Sequence, residues 1–405
     1  MKKSLFIFIS FLIVILGIRL FIFYSTKPEY KEGDKISFSS RILSEPNVYK
    51  NYQSFWLELP NTDRVFVKTE IYPEYYFQDE INLFGTLKFK LLNDKTRILS
   101  IDYPKISLVP PAAGLAVVKS IRQKIITVFD KALPKDLSGL MLGIVFGIKQ
   151  NLSKEFLDSL KTAGVMHVIA ASGMNVTMTA GFIFYLFSLI FKRQLAVALS
   201  ILGILFYAFL AGFEASIVRA SIMGIIAFSS QILGKQQYSF YALLLTCFAM
   251  LFAVPKYLLD IGFALSFTST LGILFIPRVF SRFQNVLSEG FLTTISAQIA
   301  TLPILLSNFG AYSLWSVVCN VLVLWTVPFL MIIGGIAALI SFVLPSIASL
   351  FLYLCLPLLF YFVKIVGFFG GLRGSIVAQT FPWQFSAAYY LLLASFLLFY
   401  LKRND

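Results

Sequence analysis

The chain is short of charge. Only 13% of its 405 residues are Asp, Glu, Lys or Arg, whereas 58% are hydrophobic and 16% aromatic, and the mean hydropathy is +0.81. Soluble domains carry roughly 25% charged and about 45–50% apolar residues, so this composition excludes an ordinary soluble protein and indicates an integral membrane protein. Histidine is represented by His167 alone, with no CxxC or HxxxH pairing, which excludes a His-rich metal site built from this chain by itself. Cys247, Cys319 and Cys355 all lie in apolar stretches and the polar segment has no cysteine, so no disulfide framework is indicated. No GxxxxGK[ST] loop is present, so energy for any driven step has to come from a partner. No cofactor is expected.

The charge that is present has a sign and a place. Lys and Arg number 34 against 20 Asp and Glu, a net +14 that fits either a polyanionic partner or a basic cytoplasmic face. Residues 25–110 hold 12 basic and 12 acidic side chains; residues 1–24 contribute +3, residues 111–165 +4 and residues 166–405 +7. The membrane part is basic and the polar part neutral.

Met1-Lys2-Lys3 followed by the apolar run Leu5 to Tyr24 reads as an uncleaved anchor (1–24) with a cytoplasmic N-terminus, a signal peptide being the alternative. Residues 25–110 change character. Ile36–Ser39, Ser54–Leu59, Arg64–Thr69 and Thr86–Lys90 alternate apolar and polar residues, separated by turn residues such as Pro60–Asp63 and Asn93-Asp94. That pattern predicts a small extracytoplasmic barrel or sandwich of about five or six strands. Its aromatic residues Phe38, Tyr52, Phe55, Trp56, Phe66, Tyr75, Tyr76 and Phe77 are expected to pack the barrel, and a neutral domain is expected to orient or gate rather than capture a polyanion.

Residues 111–136 read as a basic amphipathic helix on the membrane surface, with Lys119, Arg122, Lys124 and Lys131 interleaved with apolar residues. The core, 137–405, opens with Leu137 to Ile148, which is too short to span and reads as a re-entrant or broken helix. Lys192-Arg193, Arg278 with Arg282, and Lys402-Arg403 mark cytoplasmic loops. Fitting crossings between them gives one over Val165–Phe191, four over 194–277, three over the charge-free stretch 290–363 and one over Gln384–Tyr400. With the anchor this makes about ten. The expected fold class is therefore a polytopic α-helical membrane protein with a small extracytoplasmic all-β barrel.

Polar groups inside apolar spans are expensive and mark either a pathway or a packing bond. His167, Ser172, Gly173 and Asn175 open one span, where Ser-Gly can loosen the helix; the plain alternative is a small-residue helix contact. Arg219 lies inside another, after the hinge Ala211-Gly212-Phe213-Glu214. It must snorkel, pair with Glu214 or Asp260, fix helix register, or line a water-filled path, where a guanidinium suits phosphate. Asp260 opens Asp260-Ile261-Gly262-Phe263-Ala264-Leu265-Ser266-Phe267. Gln298, Thr301 and Asn320 flank Pro303, which frees backbone groups within the helix.

This order of motifs resembles the membrane core of the ComEC-type competence proteins. The matching stretches are Gly139–Gly143, Gly164…His167…Ala171-Ser172-Gly173, Gly212 with Arg219–Met223, Asp260–Phe267, and Thr301-Leu302-Pro303…Phe309-Gly310…Asn320. The chain departs at Asn175, where the family commonly has a second histidine, and at Ala264, where it commonly has glutamine. The resemblance implies an OB-like β-domain and a channel of the bacterial inner membrane that passes single-stranded DNA into the cytoplasm during natural transformation. Many relatives continue into a metallo-β-lactamase-like domain. The chain as given stops at Asp405, and one histidine cannot supply that metal centre, so the expectation is a non-enzymatic channel.

Implied partners are single-stranded DNA, the lipid bilayer, a separate nuclease, a cytoplasmic helicase-like motor, and an outer DNA receptor with its pilus machinery. Candidate path or gate residues are His167, Ser172, Gly173, Asn175, Arg219, Asp260, Gln298 and Asn320, with Lys119, Arg122 and Lys124 as a basic collar at the outer mouth. Two rivals stay open: a transporter of another polyanion or solute, and an intramembrane hydrolase using Ser172 and His167. The latter two sit five apart, roughly 140° around a continuous helix.

Overall fold

The computed structural model describes residues 2–28, 30–43, 46–49, 51–60, 63–92, 96–110, 113–148, 152–169, 172–234, 236, 238–279, 289–309, 311–372, 375–377 and 382–404. The turn Asn93-Asp94, Ala170-Ala171, Arg282, Gly310 and Arg373 lie outside them. The chain forms two compact units, Met1–Arg122 and Gln123–Asp405.

The first unit begins with the apolar helix α1 (Lys2–Ser25) and continues into strands β1 (Lys35–Arg41), β2 (Asn47–Val48), β3 (Gln53–Glu58), β4 (Arg64–Thr69), β5 (Glu80–Thr86), β6 (Lys88–Leu92), β7 (Thr96–Asp102) and β8 (Lys105–Leu108). Period-2 alternation sets the faces: β4 buries Val65, Val67 and Thr69 and turns Arg64, Phe66 and Lys68 outward. Phe55, Leu57, Ile81, Leu83, Leu87 and Ile101 join Val65 and Val67 in one core.

The strands order as β2-β3-β4-β7-β6 and β1-β5-β8. Every pairing in these two sheets is antiparallel except β4 with β7, which is parallel. More strands are present than the alternation predicts because two long ones bend. Thr86–Lys90, expected as one strand, breaks at Leu87, a fully buried residue whose N–H donates to the Asp34 carbonyl at 2.9 Å. The chain from β7 to β8 breaks at Tyr103, whose φ is 49°. Each bend carries a strand from one sheet to the other.

α2 (Ala113–Ala132) starts in the first unit and runs into the second. There follow α3 (Lys135–Phe146), α4 (Lys154–Ala163), a 3-10 turn at Met166–Val168, α5 (Gly173–Ser188), α6 (Arg193–Ala211), α7 (Ala215–Ile232), α8 (Ser239–Ala253), a 3-10 turn at Pro255–Leu259, α9 (Ile261–Val279) and α10 (Glu289–Phe309). β9 (Ala311–Ser313), α11 (Ser316–Leu324), α12 (Thr326–Ile340), α13 (Pro345–Leu354), α14 (Leu356–Gly371), β10 (Ser375–Val377) and α15 (Trp383–Asn404) complete the chain.

The protein is thus mostly helical, with an N-terminal β region. Among the described residues five helices are long and apolar enough to cross a bilayer: the segment ending in α5, then α6, α7, α9 and α10. The count rises to seven if each of the bent pairs α11–α12 (44°) and α13–α14 (48°) is one span; Ser10–Ser25, α8 and Gln384–Tyr400 are apolar but shorter. The helices fall in the apolar stretches between the charge marks, and five to seven of them have the length and hydropathy of a span.

Two local expectations change. The 137–148 segment is a helix whose residues from Leu137 to Phe146 are all buried, so it packs as an interior element instead of meeting lipid. With no hydrophobic drive between helices in a bilayer, such contacts depend on close fit. Gly334 of α12 allows it, since a Cβ there would sit 2.4 Å from the Met141 side chain. The expected span Val165–Phe191 is not one continuous helix either. Ser172 takes extended backbone (φ −113°, ψ 167°) at the N-terminus of α5, so regular helix starts at Gly173.

Candidate functional site

The break before α5 brings the start of that helix against α7, which packs in turn on α9. Arg219, one turn into α7, donates from Nε to Ser266 Oγ at 2.6 Å and from Nη1 to Thr270 Oγ1 at 2.6 Å. Both acceptors belong to α9, one turn apart. The Thr270 hydroxyl gives its own proton to the Ser266 carbonyl at 2.8 Å, leaving its lone pairs for the guanidinium. Sulfur of Met223 lies 3.7 Å from Nη1.

No carboxylate among the described residues comes within ion-pair distance of Arg219, so neither pairing expected from the sequence forms. Asp260 is otherwise engaged: its Oδ1 accepts from the Phe263 N–H at 2.9 Å, capping α9. The outer nitrogen, Nη2, has no acceptor among the described residues and faces Gly173. A Cβ at Gly173 would lie 2.7 Å from it, so any other residue there would displace the guanidinium from this position. Ser172 makes no side-chain cap on the α5 N–H groups, because its hydroxyl donates to Asn175 Oδ1 at 2.9 Å. A guanidinium and a helix N-terminus, both positive, therefore share one corner with no acid between them.

Asn175, expected on the path, is buried at 1% exposure. Its Nδ2 donates to the Ile144 carbonyl at 2.7 Å, and Tyr207 donates to the Val145 carbonyl at 3.0 Å. These are orphan carbonyls at the end of α3, so the amide fastens α5 to α3. His167 sits in the 3-10 turn Met166–Val168 with its side chain exposed.

Gln298 bonds to another helix. Its Oε1 accepts from Ser316 Oγ at 3.2 Å, joining α10 to α11. Gly164, in the left-handed region at φ 75°, closes the same spot, since a Cβ there would fall 2.4 Å from that of Ser316. Asn320, one turn beyond Ser316, is buried with its Oδ1 unpaired.

The collar residues are committed to protein contacts. Lys119 Nζ meets Asp79 Oδ1 at 2.6 Å and lies over the Tyr76 ring, and Arg122 stacks on Phe77 at 4.6 Å. Lys124 donates to the Phe342 carbonyl at 3.1 Å. Of the β-region aromatics, Phe38, Phe55 and Tyr75 are buried as expected, whereas Tyr52, Trp56 and Phe66 lie partly exposed on the outer face.

Sequence reasoning missed Ser266 and Thr270 as the acceptors for Arg219. Their signal was a pair of hydroxyls at i and i+4 on a helix following a cap, facing a helix with one cation. Tyr207 and Ser316 had no comparable signal.

The family comparison decides what this assembly belongs to. Residues 144–404, well over half of the chain, match the model of a family described as Competence protein. The chain belongs to the Competence protein family. It is also similar to ComE operon protein 3 of Bacillus subtilis (strain 168), with 28% identity over 224 residues, covering 55% of this chain and 29% of that relative. The chain thus spans under a third of that relative's length in the match. No solved structure matches it. The matched region contains the Arg219 corner.

The Asn175 clamp makes a stability prediction. Replacing Asn175 with Leu leaves the α3 carbonyl and the Ser172 hydroxyl unpaired in the interior and lowers stability by about 1–3 kcal/mol, read as thermal unfolding of the protein in detergent. Ser172→Ala, which leaves the amide bond to Ile144 intact, shifts it less.

Proposed function

We propose that the chain conducts single-stranded DNA through the bacterial cytoplasmic membrane during natural transformation. The observation that carries this is Arg219: a guanidinium held by hydroxyls in place of an acid, with no acceptor for Nη2 among the described residues. A strand bearing one charge per nucleotide needs such a waypoint to offset desolvation of its phosphates. Hydroxyls hold the cation without neutralising it, so the positive potential stays available. Ser172 and Gly173 frame the corner, and His167, in the turn just before α5, is read as a further path residue. Asn175 and Asp260 act as fasteners. Membership of the Competence protein family supports the role in DNA uptake.

For the β region, an OB-like reading is supported by the bent strands, which pass between two sheets sharing one core, and by the single parallel pairing β4–β7. In this reading it lies outside the membrane, the two termini lie in the cytoplasm, and the motor, nuclease and outer receptor are separate proteins.

The contacts favour a layout with fewer crossings than ten. Lys124 of α2 touches Phe342 in the turn between α12 and α13. β10, after α14, pairs with β9, before α11. Two full crossings would also return the chain to β9, so that pairing fits either layout; the re-entrant one rests on reading α2, which is not itself apolar enough to span, as outer, where the charge marks also put β9. In this layout the pairs α11–α12 and α13–α14 are re-entrant. Five long helices with α1, α8 and α15 then make eight crossings, and Lys192-Arg193, Arg278 and Lys402-Arg403 still face the cytoplasm. With Cys247, Cys319 and Cys355 replaced by Ala, a Val343→Cys variant reacts with a membrane-impermeant maleimide in intact cells. Labelling only after lysis contradicts the re-entrant layout.

Transformation tests the conduit. Arg219→Ala, and Gly173→Ala through its clash with Nη2, cut uptake of transforming DNA by at least about tenfold while the protein stays in the membrane. Normal transformation in the Arg219→Ala strain overturns the reading. Transport of other anions equally well by vesicles carrying the protein favours a general polyanion transporter, and loss of uptake in Ser172→Ala with an unchanged fold favours the hydrolase.

A further inference from the structure

A proline inside a helix leaves a carbonyl without its partner. Pro303 of α10 has no N–H, so the Ile299 carbonyl, four residues earlier, loses its helical hydrogen bond. At membrane depth such a group has to be met by a neighbour. The hydroxyl of Thr301 does not meet it, since it donates to the Ala297 carbonyl at 2.8 Å. α15 does: the Tyr389 hydroxyl donates to the Ile299 carbonyl at 2.9 Å, and the Tyr390 hydroxyl donates to the Ala300 carbonyl, also at 2.9 Å. Two adjacent tyrosines on another helix thus supply what one proline removes.

α15 is otherwise loosely held. None of its described side chains is fully buried, and Leu391, Leu392, Phe396, Leu398 and Phe399 are exposed. In a bilayer an apolar face gains little by leaving lipid, so the two hydroxyls weigh heavily in keeping α15 on α10. The buried Ser386 hydroxyl adds no bond among the described residues.

The tyrosines grip the part of α10 that seats on α9. Ala300 lies against Gly272, where a Cβ would fall 2.6 Å from the Ala300 Cβ and 2.6 Å from the Ser296 carbonyl oxygen. Thr270, just before Gly272 on α9, is an acceptor for Arg219. A continuous line therefore runs from Tyr390 through Ala300 and Gly272 to Thr270 and the guanidinium. Pro303 is the place in that line where a helix bends most easily.

We propose that α15 is a releasable strap. Docked, its tyrosines hold α10 on α9 and keep the Arg219 corner assembled; undocked, they let α10 pivot at Pro303 and widen the corner for a passing strand. The strap rests on the reading of Arg219 as a waypoint for the strand, but it is built from other residues.

The test uses the full chain in lipid nanodiscs, with Cys247, Cys319 and Cys355 replaced by Ala. Spin labels go on Gly290→Cys and Ser307→Cys, on either side of Pro303 and roughly 25 Å apart along α10. With both tyrosines present, pulsed electron resonance gives one narrow distance. Tyr389→Phe with Tyr390→Phe, which removes the two hydroxyls and keeps the rings, adds a second distance. Adding Pro303→Ala, which restores the N–H, returns that double variant to one distance. In cells, Pro303→Ala alone stays in the membrane yet lowers transformation by about threefold or more, because the pivot is gone; a tie that only supports the fold would leave transformation unchanged. A single unaltered distance in the double tyrosine variant, or normal transformation by Pro303→Ala, overturns the strap. The distance measurements involve no DNA, so they succeed or fail independently of the transformation result for Arg219→Ala.

Discussion

A guanidinium held inside a bundle of apolar helices without an acid is the constraint on which the rest of this structure depends. Charge at membrane depth is costly, and a buried ion pair would neutralise it most directly. Arg219 has two hydroxyls instead. That arrangement requires Ser266 and Thr270 one turn apart on α9, a glycine where α5 begins, and a break in the chain so that α5 starts beside α7. The break in turn leaves polar groups to satisfy. Asn175 and Tyr207 do so by taking the terminal carbonyls of α3. The small residues and polar groups that punctuate the sequence are thus largely parts of one construction.

The coarse architecture was legible because it follows from periodicity and length. Alternation located β1, β3 and β4, and apolar runs between basic marks located the helices of the second unit. The bends at Leu87 and Tyr103 were not legible, since a buried leucine in a strand reads as strand. The crossing count is a related case. An uncharged stretch of three span lengths looks the same whether its helices cross or turn back, and the contacts that bear on it, such as Lys124 with Phe342, join residues more than two hundred positions apart.

Site residues were legible as types and not as roles. Arg219, Ser172 and Gly173 do meet. Asp260 and Asn175 were singled out for being polar in apolar surroundings, which is true of a cap and of a clamp as much as of a path. Gln298 joins α10 to α11. Of the expected collar, Lys119 is matched by Asp79 and Arg122 lies on an aromatic ring, so the cations nearest the β region hold that unit together.

The central claim is that the Arg219 corner is a wet, anion-attracting passage. Its most direct test is the reactivity of a cysteine placed at position 270, in a background without Cys247, Cys319 and Cys355, toward thiol reagents of opposite charge. The account predicts that an anionic reagent reacts faster than a cationic one of similar size, and that DNA in transit protects the thiol. A thiol that is inert to both, or that reacts with both equally and without protection by DNA, would contradict it.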